Sequence, residues 1–159
     1  MTWEIARMMA RVPWPFPPEA ARAYTAARAR QTRDDCAFTI VERGGCGEPV
    51  GVAVCHAPYG PSRGNPDLGF WIATDHAGRG YASEAARAVL GFAFEVLGHA
   101  VIDAGHFADN AASARVLTRL GFQPTGRTLD WPCLARGAPV PSPEYELTRE
   151  RWLAARSAA

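Results

Sequence analysis

Apolar residues cluster along this chain in short runs whose spacing changes from strand-like to helix-like and back. Cys36-Ala-Phe-Thr-Ile-Val-Glu42 and Val50-Gly-Val-Ala-Val-Cys55 are rich in β-branched and apolar residues, and Gly44-Gly45-Cys46-Gly47 lies between them. That pattern predicts a β-hairpin. A Pro/Gly-rich loop over 57–66 follows, then a strand over 68–73. In 82–97 the apolar positions Ala82, Ala85, Ala86, Val89, Ala93, Val96 and Leu97 fall at helical spacing, and Gly98 stops the run. A strand is expected over 100–107. An amphipathic helix follows over 111–120, with Val116, Leu117 and Leu120 on one face and Gly121 closing it.

The ends read less sharply. Residues 13–18 are proline-rich, and Pro18-Glu19 suits the first turn of a helix running to about Arg30. Two late strands are expected near 125–131 and 144–148. A hairpin, then strand–helix–strand–helix, then further strands predicts an α/β fold: a mixed sheet with helices packed on it.

Composition narrows the class. The 159 residues suffice for one domain, 1–159, with a core that needs no metal or disulfide. No apolar run approaches the ~20 residues of a membrane span, and the first residues lack a signal-like apolar stretch. A cytoplasmic location without a membrane partner is the expectation. Cys36, Cys46, Cys55 and Cys133 are scattered without metal-ligand spacing, so they read as free thiols. A net charge of +1 gives no global field for nucleic acid. All the basic residues are arginine, which is read as compositional bias.

Candidate chemistry begins at Asp75-His-Ala-Gly-Arg-Gly-Tyr-Ala-Ser83, between an expected strand and an expected helix start. Gly78 and Gly80 let the chain turn tightly, and the helix N-terminus adds free N–H groups and its dipole. Together these suit a phosphate or pyrophosphate, with Arg79 and Ser83 as side-chain partners. The same residues also read as a plain strand-to-helix turn. A dinucleotide site is a further alternative, with Asp103 as the ribose-binding acid. It is disfavoured by Ser83 in place of the third glycine and by the lone strand–helix–strand unit.

Downstream stands Phe107-Ala-Asp109-Asn110-Ala-Ala-Ser113, and the following helix ends Leu120-Gly121-Phe122. In this order and spacing, the two constellations resemble the GNAT acetyltransferase superfamily, and most nearly the branch that acetylates N-terminal amines of ribosomal proteins. The similarity runs from about Asp67 to Phe122.

The resemblance implies a mostly antiparallel central sheet with helices on both faces and two splayed middle strands, carried here onto 68–73 and 100–107. It implies acetyl-CoA as cosubstrate, with the pantetheine arm in the splay near Trp71, Ile72 and Ala73. The pyrophosphate would then lie on Gly78, Arg79, Gly80, Tyr81, Ala82 and Ser83. Asn110 matches the position that binds the pantetheine arm, and it also suits a helix N-cap. Ser113 matches a position near the sulfur, and it reads equally as an ordinary first-turn serine.

Three departures stand out. Leu117 occupies the place where many relatives carry a tyrosine. Ala77 replaces a frequent Gln or Arg. The first strand and helix of relatives seem shortened, which leaves a sheet edge suited to a homodimer.

The implied reaction is amine attack on a thioester in a ternary complex, with backbone N–H groups near 71–73 holding the developing oxyanion. Asp67 is the candidate base through water, though a solvated loop charge is the plainer reading. His106 is its rival. Trp14, Phe16, Tyr59 and Trp131 are candidate walls of the acceptor pocket, or core. A peptide N-terminus or a small-molecule amine both fit as acceptor. A non-catalytic CoA-binding module is the alternative.

Overall fold

The computed structural model describes residues 1–28, 36–58 and 64–157. In chain order these form α1 (Trp3–Ala6), α2 (Pro18–Arg28), β1 (Cys36–Val41), β2 (Pro49–His56), β3 (Asp67–Ile72) and α3 (Tyr81–Gly91). Then come β4 (Val101–Gly105), α4 (Ala111–Leu120), β5 (Gln123–Cys133), β6 (Ala138–Thr148) and α5 (Arg149–Ser157). The six strands make one sheet in the order β1-β2-β3-β4-β6-β5. Every neighbouring pair is antiparallel except β3 with β4. The expected mixed α/β architecture is the observed one. Among the described residues the sheet holds one parallel pair and is not doubly wound, which removes the dinucleotide alternative.

Strand alternation sorts the sheet into two faces. On one, Leu68, Ile102, Ala104 and Leu147 join Ala86, Leu90 and Phe94 from the α3 region in the main core. Trp152 of α5 seals that core by packing on Phe94, with ring centroids 5.9 Å apart. On the other face, Phe107, Trp131, Cys133 and Val140 form a smaller cluster beneath the N-terminal arm. The arm is fixed there by Arg136, which donates to Arg7 O at 2.7 Å and pairs with Asp109 at 3.0 Å. The Leu134 N–H adds a bond to Ala10 O at 3.1 Å.

Several expectations need correction. The helix expected over 82–97 is α-helical only to Gly91, and 92–96 form a π turn closed by Leu97 N–H to Phe92 O at 3.0 Å. Apolar spacing cannot register that change of winding, and Val96, expected in the stripe, is 63% exposed. The late strands are far longer than expected because Pro139, Pro141 and Pro143 speak against a strand. They lie in the part of β6 beyond Glu144, where β4 no longer pairs, so the missing N–H groups cost nothing there. Helices α1 and α5 were not anticipated. The end of the first long expected helix, near Arg30, lies outside the described residues.

Strands β3 and β4 meet only where β3 begins, against the middle of β4. Asp67 stands opposite Asp103, whose N–H donates to Pro66 O at 2.9 Å. Beyond that point no ladder joins them, and the sheet opens between its two middle strands. β1 is the outer edge, with Phe38 and Val41 exposed.

Candidate active site

The gap between β3 and β4 opens into a cavity of about 850 Å³. Its walls come from elements far apart in sequence: the N-terminal arm, α2, the inner sides of β1 to β3, and the ends of β4, α4 and β5. Asp67, Trp71, Asn110 and Ser113 all line this one space. His106, Phe16 and Trp131 line it too. Trp14 does not, meeting Trp3 edge-on instead, with ring centroids 6.1 Å apart. Tyr59 lies outside the described residues.

Backbone geometry decides which strand groups face the gap. The Ala73 N–H is spent on Val50 O at 2.8 Å, so it cannot serve as the oxyanion donor expected of it. Alternation then turns Trp71 toward β2 and aims the N–H and C=O of Phe70 and Ile72 across the gap. On the facing strand, Arg149 N–H to Ala100 O fixes the phase, so Gly105 faces the gap. Of the three residues expected to supply donors, Ile72 turns its N–H to the gap, as does Phe70, which sequence reading does not name, and Trp71 lines the cavity with its side chain.

At the open end, Gly78 and Gly80 take φ of 77° and 89°, conformations that L side chains rarely adopt. They turn the chain into α3, whose first bond returning into the turn is Glu84 N–H to Gly80 O at 3.1 Å. The N–H groups of Tyr81, Ala82 and Ser83 therefore stand at a helix start with no carbonyl behind them. Arg79 is drawn back to Asp75 O at 3.2 Å and toward Glu42 at 3.9 Å. The Tyr81 hydroxyl also donates to Glu42. This turn lies outside the cavity lining, at the far end of β3 from Asp67.

At the start of α4, Asn110 Oδ1 accepts from Ser113 N–H at 3.1 Å, which makes Asn110 an N-cap. The Ser113 hydroxyl makes no hydrogen bond to a described residue and is free for a ligand. His106 is held at both nitrogens. Nδ1 lies 2.9 Å from Phe107 O and Nε2 3.3 Å from the Tyr145 hydroxyl. With the proton on Nδ1, Nε2 accepts from Tyr145, which occupies the lone pair a base would need.

Acids gather at the cavity floor: Asp67 lines it, and Asp103 and Glu144 lie behind it, all buried, at 9%, 3% and 7% exposure. Burial holds the Asp67 carboxyl well above the usual carboxylate range, with Glu144 and Asp103 adding to the rise and Arg11 opposing it. Burial also raises Glu144, against a hydrogen bond from Trp131 Nε1 at 3.2 Å. Gly105 makes this crowding feasible, since a Cβ there would sit 2.9 Å from Glu144 Oε1 and 2.8 Å from Ser142 Oγ. Sequence reading missed Glu144, Ser142 and His56, the residue opposite Asp67 on β2. Alternation alone could have put Glu144 and Ser142 on one face, but not opposite Gly105.

A sheet split between its middle strands, with a glycine turn and helix start at one end of the split, defines a class rather than a single fold detail. The chain belongs to the GNAT acetyltransferase family, whose domain model matches residues 2–123. It is 32% identical over 111 residues to YoaA of Bacillus subtilis (strain 168), named an uncharacterized N-acetyltransferase. That match covers 70% of this chain and 62% of YoaA. The fold matches ribosomal-protein-S5-alanine acetyltransferase from Vibrio fischeri with a TM-score of 0.73 at 18% identity, over 92% of this chain and 81% of that one. It also matches Mycobacterium smegmatis RimJ in complex with CoA-disulfide, TM-score 0.74 at 21% identity, over 96% and 78% of the two chains. Among the described residues, no helix is long and apolar enough to cross a membrane, and no cluster suits a metal ion.

Proposed function

We propose that this protein is an acetyl-CoA-dependent N-acetyltransferase acting on a primary amine, a peptide N-terminus or a small-molecule amine, in a ternary complex. One observation carries the reading: a single cavity holds the strand gap, the Ser113 hydroxyl and the buried Asp67 carboxyl together. The names of the fold relatives, one of them an alanine acetyltransferase of a ribosomal protein, favour an α-amine.

The residues fit the carrier. Phe70, Ile72 and Gly105 offer backbone groups without strand partners, which an amide-bearing arm can take up like an added strand. The turn from Gly78 to Ser83 offers N–H groups to a pyrophosphate, and Asn110 lines the cavity where the arm would pass. The bound thioester supplies the acetyl group: the neutral amine's lone pair forms the new C–N bond, the C–S pair leaves with sulfur, and the nitrogen gives up one proton, keeping the other in the amide, while the departing thiolate takes one up.

This chain's own groups manage the charges. The N–H groups of Ile72 and Phe70 face the gap and would oppose charge building on the carbonyl oxygen, a contribution of about 10²–10³ per donor in rate. Ser113 would give a hydrogen bond to the leaving sulfur, in place of the tyrosine that Leu117 excludes. Asp67 would accept the amine proton and pass it to solvent. An α-amine with a reference pKa near ~8 asks little of that base. The open β1 edge supports a homodimer as the assembly.

A thermal-shift titration with acetyl-CoA, CoA, NAD and ATP tests the carrier site. At 100 times its dissociation constant a ligand stabilises by about 2.7 kcal/mol. A shift with both CoA ligands alone is expected, and no shift with either would overturn the reading.

A further inference from the structure

We propose that the cavity floor is a subsite for one ammonium group borne on an apolar body, received by Asp67 with Glu144 standing behind it. This rests on the acetyl-transfer reading and narrows its acceptor.

Asp67 projects from β3 on the same face as Gly69 and Trp71, into the cavity and away from the main core. It is 9% exposed, and its carboxyl accepts no hydrogen bond from any described residue. A buried carboxyl in that condition is costly, and a ligand that donates to it removes the cost. Its neighbours are already engaged. Asp103 accepts from Asn65 Nδ2 at 3.1 Å, and Glu144 accepts from Trp131 Nε1 at 3.2 Å. Asp67 is the member left for an incoming group.

The charge balance points the same way. Asp67 is one of three buried carboxyls gathered here, and Arg11 from the N-terminal arm acts on Asp67 while Arg127 from β5 acts on Glu144. His56 flanks Asp67 from β2, while His106 is turned to Tyr145 and Glu146 lies opposite Asp103 on β6. An ammonium at Asp67 relieves the repulsion among the neighbouring acids, and its approach draws Asp67 toward the ionised form. An N–H bond of the ammonium then breaks as an O–H bond forms on Asp67, leaving a neutral amine aimed at the gap.

Among the described lining residues Asp67 is the sole carboxyl, so none of the others answers a second ammonium, and the walls above it include Met8, Met9, Phe16, Phe107 and Trp131. Burying an unpaired charge against such walls is strongly unfavourable. Polyamines should therefore be poor acceptors. Phenethylamine and a peptide that begins with apolar residues share the favoured chemistry.

The test measures CoA release by the full chain with phenethylamine, an apolar-start peptide, the same peptide with lysines after its first residue, and spermidine. The expected kcat/KM for the better of the first two exceeds that for spermidine and the lysine peptide at least tenfold. The two apolar arms also tell the small-amine source from the peptide source. Asp67→Asn should abolish the preference along with most turnover while keeping the acetyl-CoA thermal shift. In Glu144→Gln, loss of the neighbouring negative charge should move the acid limb of the pH profile to lower pH. Spermidine as good as the apolar amines, no turnover of any apolar amine despite an acetyl-CoA shift, or an unmoved acid limb would overturn the subsite. Absence of the acetyl-CoA shift would instead strike the underlying acetyl-transfer reading.

Discussion

The two ends of the strand gap are built on different principles. The turn from Gly78 to Ser83 is a backbone site: two glycines at positive φ and one helix start, all within six consecutive residues. The floor is a side-chain site. Its parts come from β3, β4, β6 and the N-terminal arm, and Glu144 reaches Asp67 because Gly105 carries no Cβ. A backbone site tolerates most side-chain changes and fails when its φ angles are denied. A side-chain site fails when one acid or its spacing changes. The contrast suits a division of labour, with a constant carrier at one end and a selected acceptor at the other.

The sharpest break of this symmetry is Asp67→Asn. Turnover should fall by about 10² or more, the scale of a lost general base, while the acetyl-CoA thermal shift stays. Steady-state rates beside the titration check it. The converse variant is Gly80→Val at φ 89°. Forcing a β-branched residue there costs about 1–2 kcal/mol, and the acetyl-CoA shift should shrink by an amount equal to about a tenfold affinity loss. Equal damage to the carrier site by both variants would refute the division.

Arg136→Ala probes the N-terminal arm that walls the cavity on the floor's side. It removes the contacts to Arg7 O and Asp109 and the guanidinium 5.2 Å from the Phe107 ring. A stability loss of about 1–2 kcal/mol is expected from such contacts. The amine KM should rise while acetyl-CoA affinity holds, as kinetics with each substrate varied in turn would show. Asn110→Ala should cost about 1 kcal/mol in chemical denaturation through the lost cap, with Asn110→Ser restoring most of it.

The smallest effect is in pH-dependent stability. The Asp67 carboxyl titrates higher folded than unfolded, so the fold favours its neutral form. That contribution is whole in acid, below the unfolded carboxylate range, and is lost as pH rises through the folded value. Asp67→Asn should match the native melting temperature near pH 4 and exceed it at neutral pH and above. A variant less stable at every pH would mean that Asp67 supports the fold instead.

Local signals were sufficient for one of the two regions. The glycines at 78 and 80, the helix start after them and the Asn110 cap all act over a few residues, so their geometry was present in the residue order itself. The alternation in 68–73 likewise set a strand, though not which of its N–H groups would face the gap. That depended on the pairing phase with β2, which spends Ala73 and frees Ile72. Strand β6 runs past its apparent end because its prolines lie where β4 stops pairing. The floor was out of reach for the same reason. Glu144 and Gly105 are 39 residues apart and meet by register, a property of two strands together. Sequence determined the elements, their caps and the carrier turn, since each is settled by neighbours along the chain. Only the folded sheet decided which acids share a proton environment, because burial and proximity exist only once distant strands are paired.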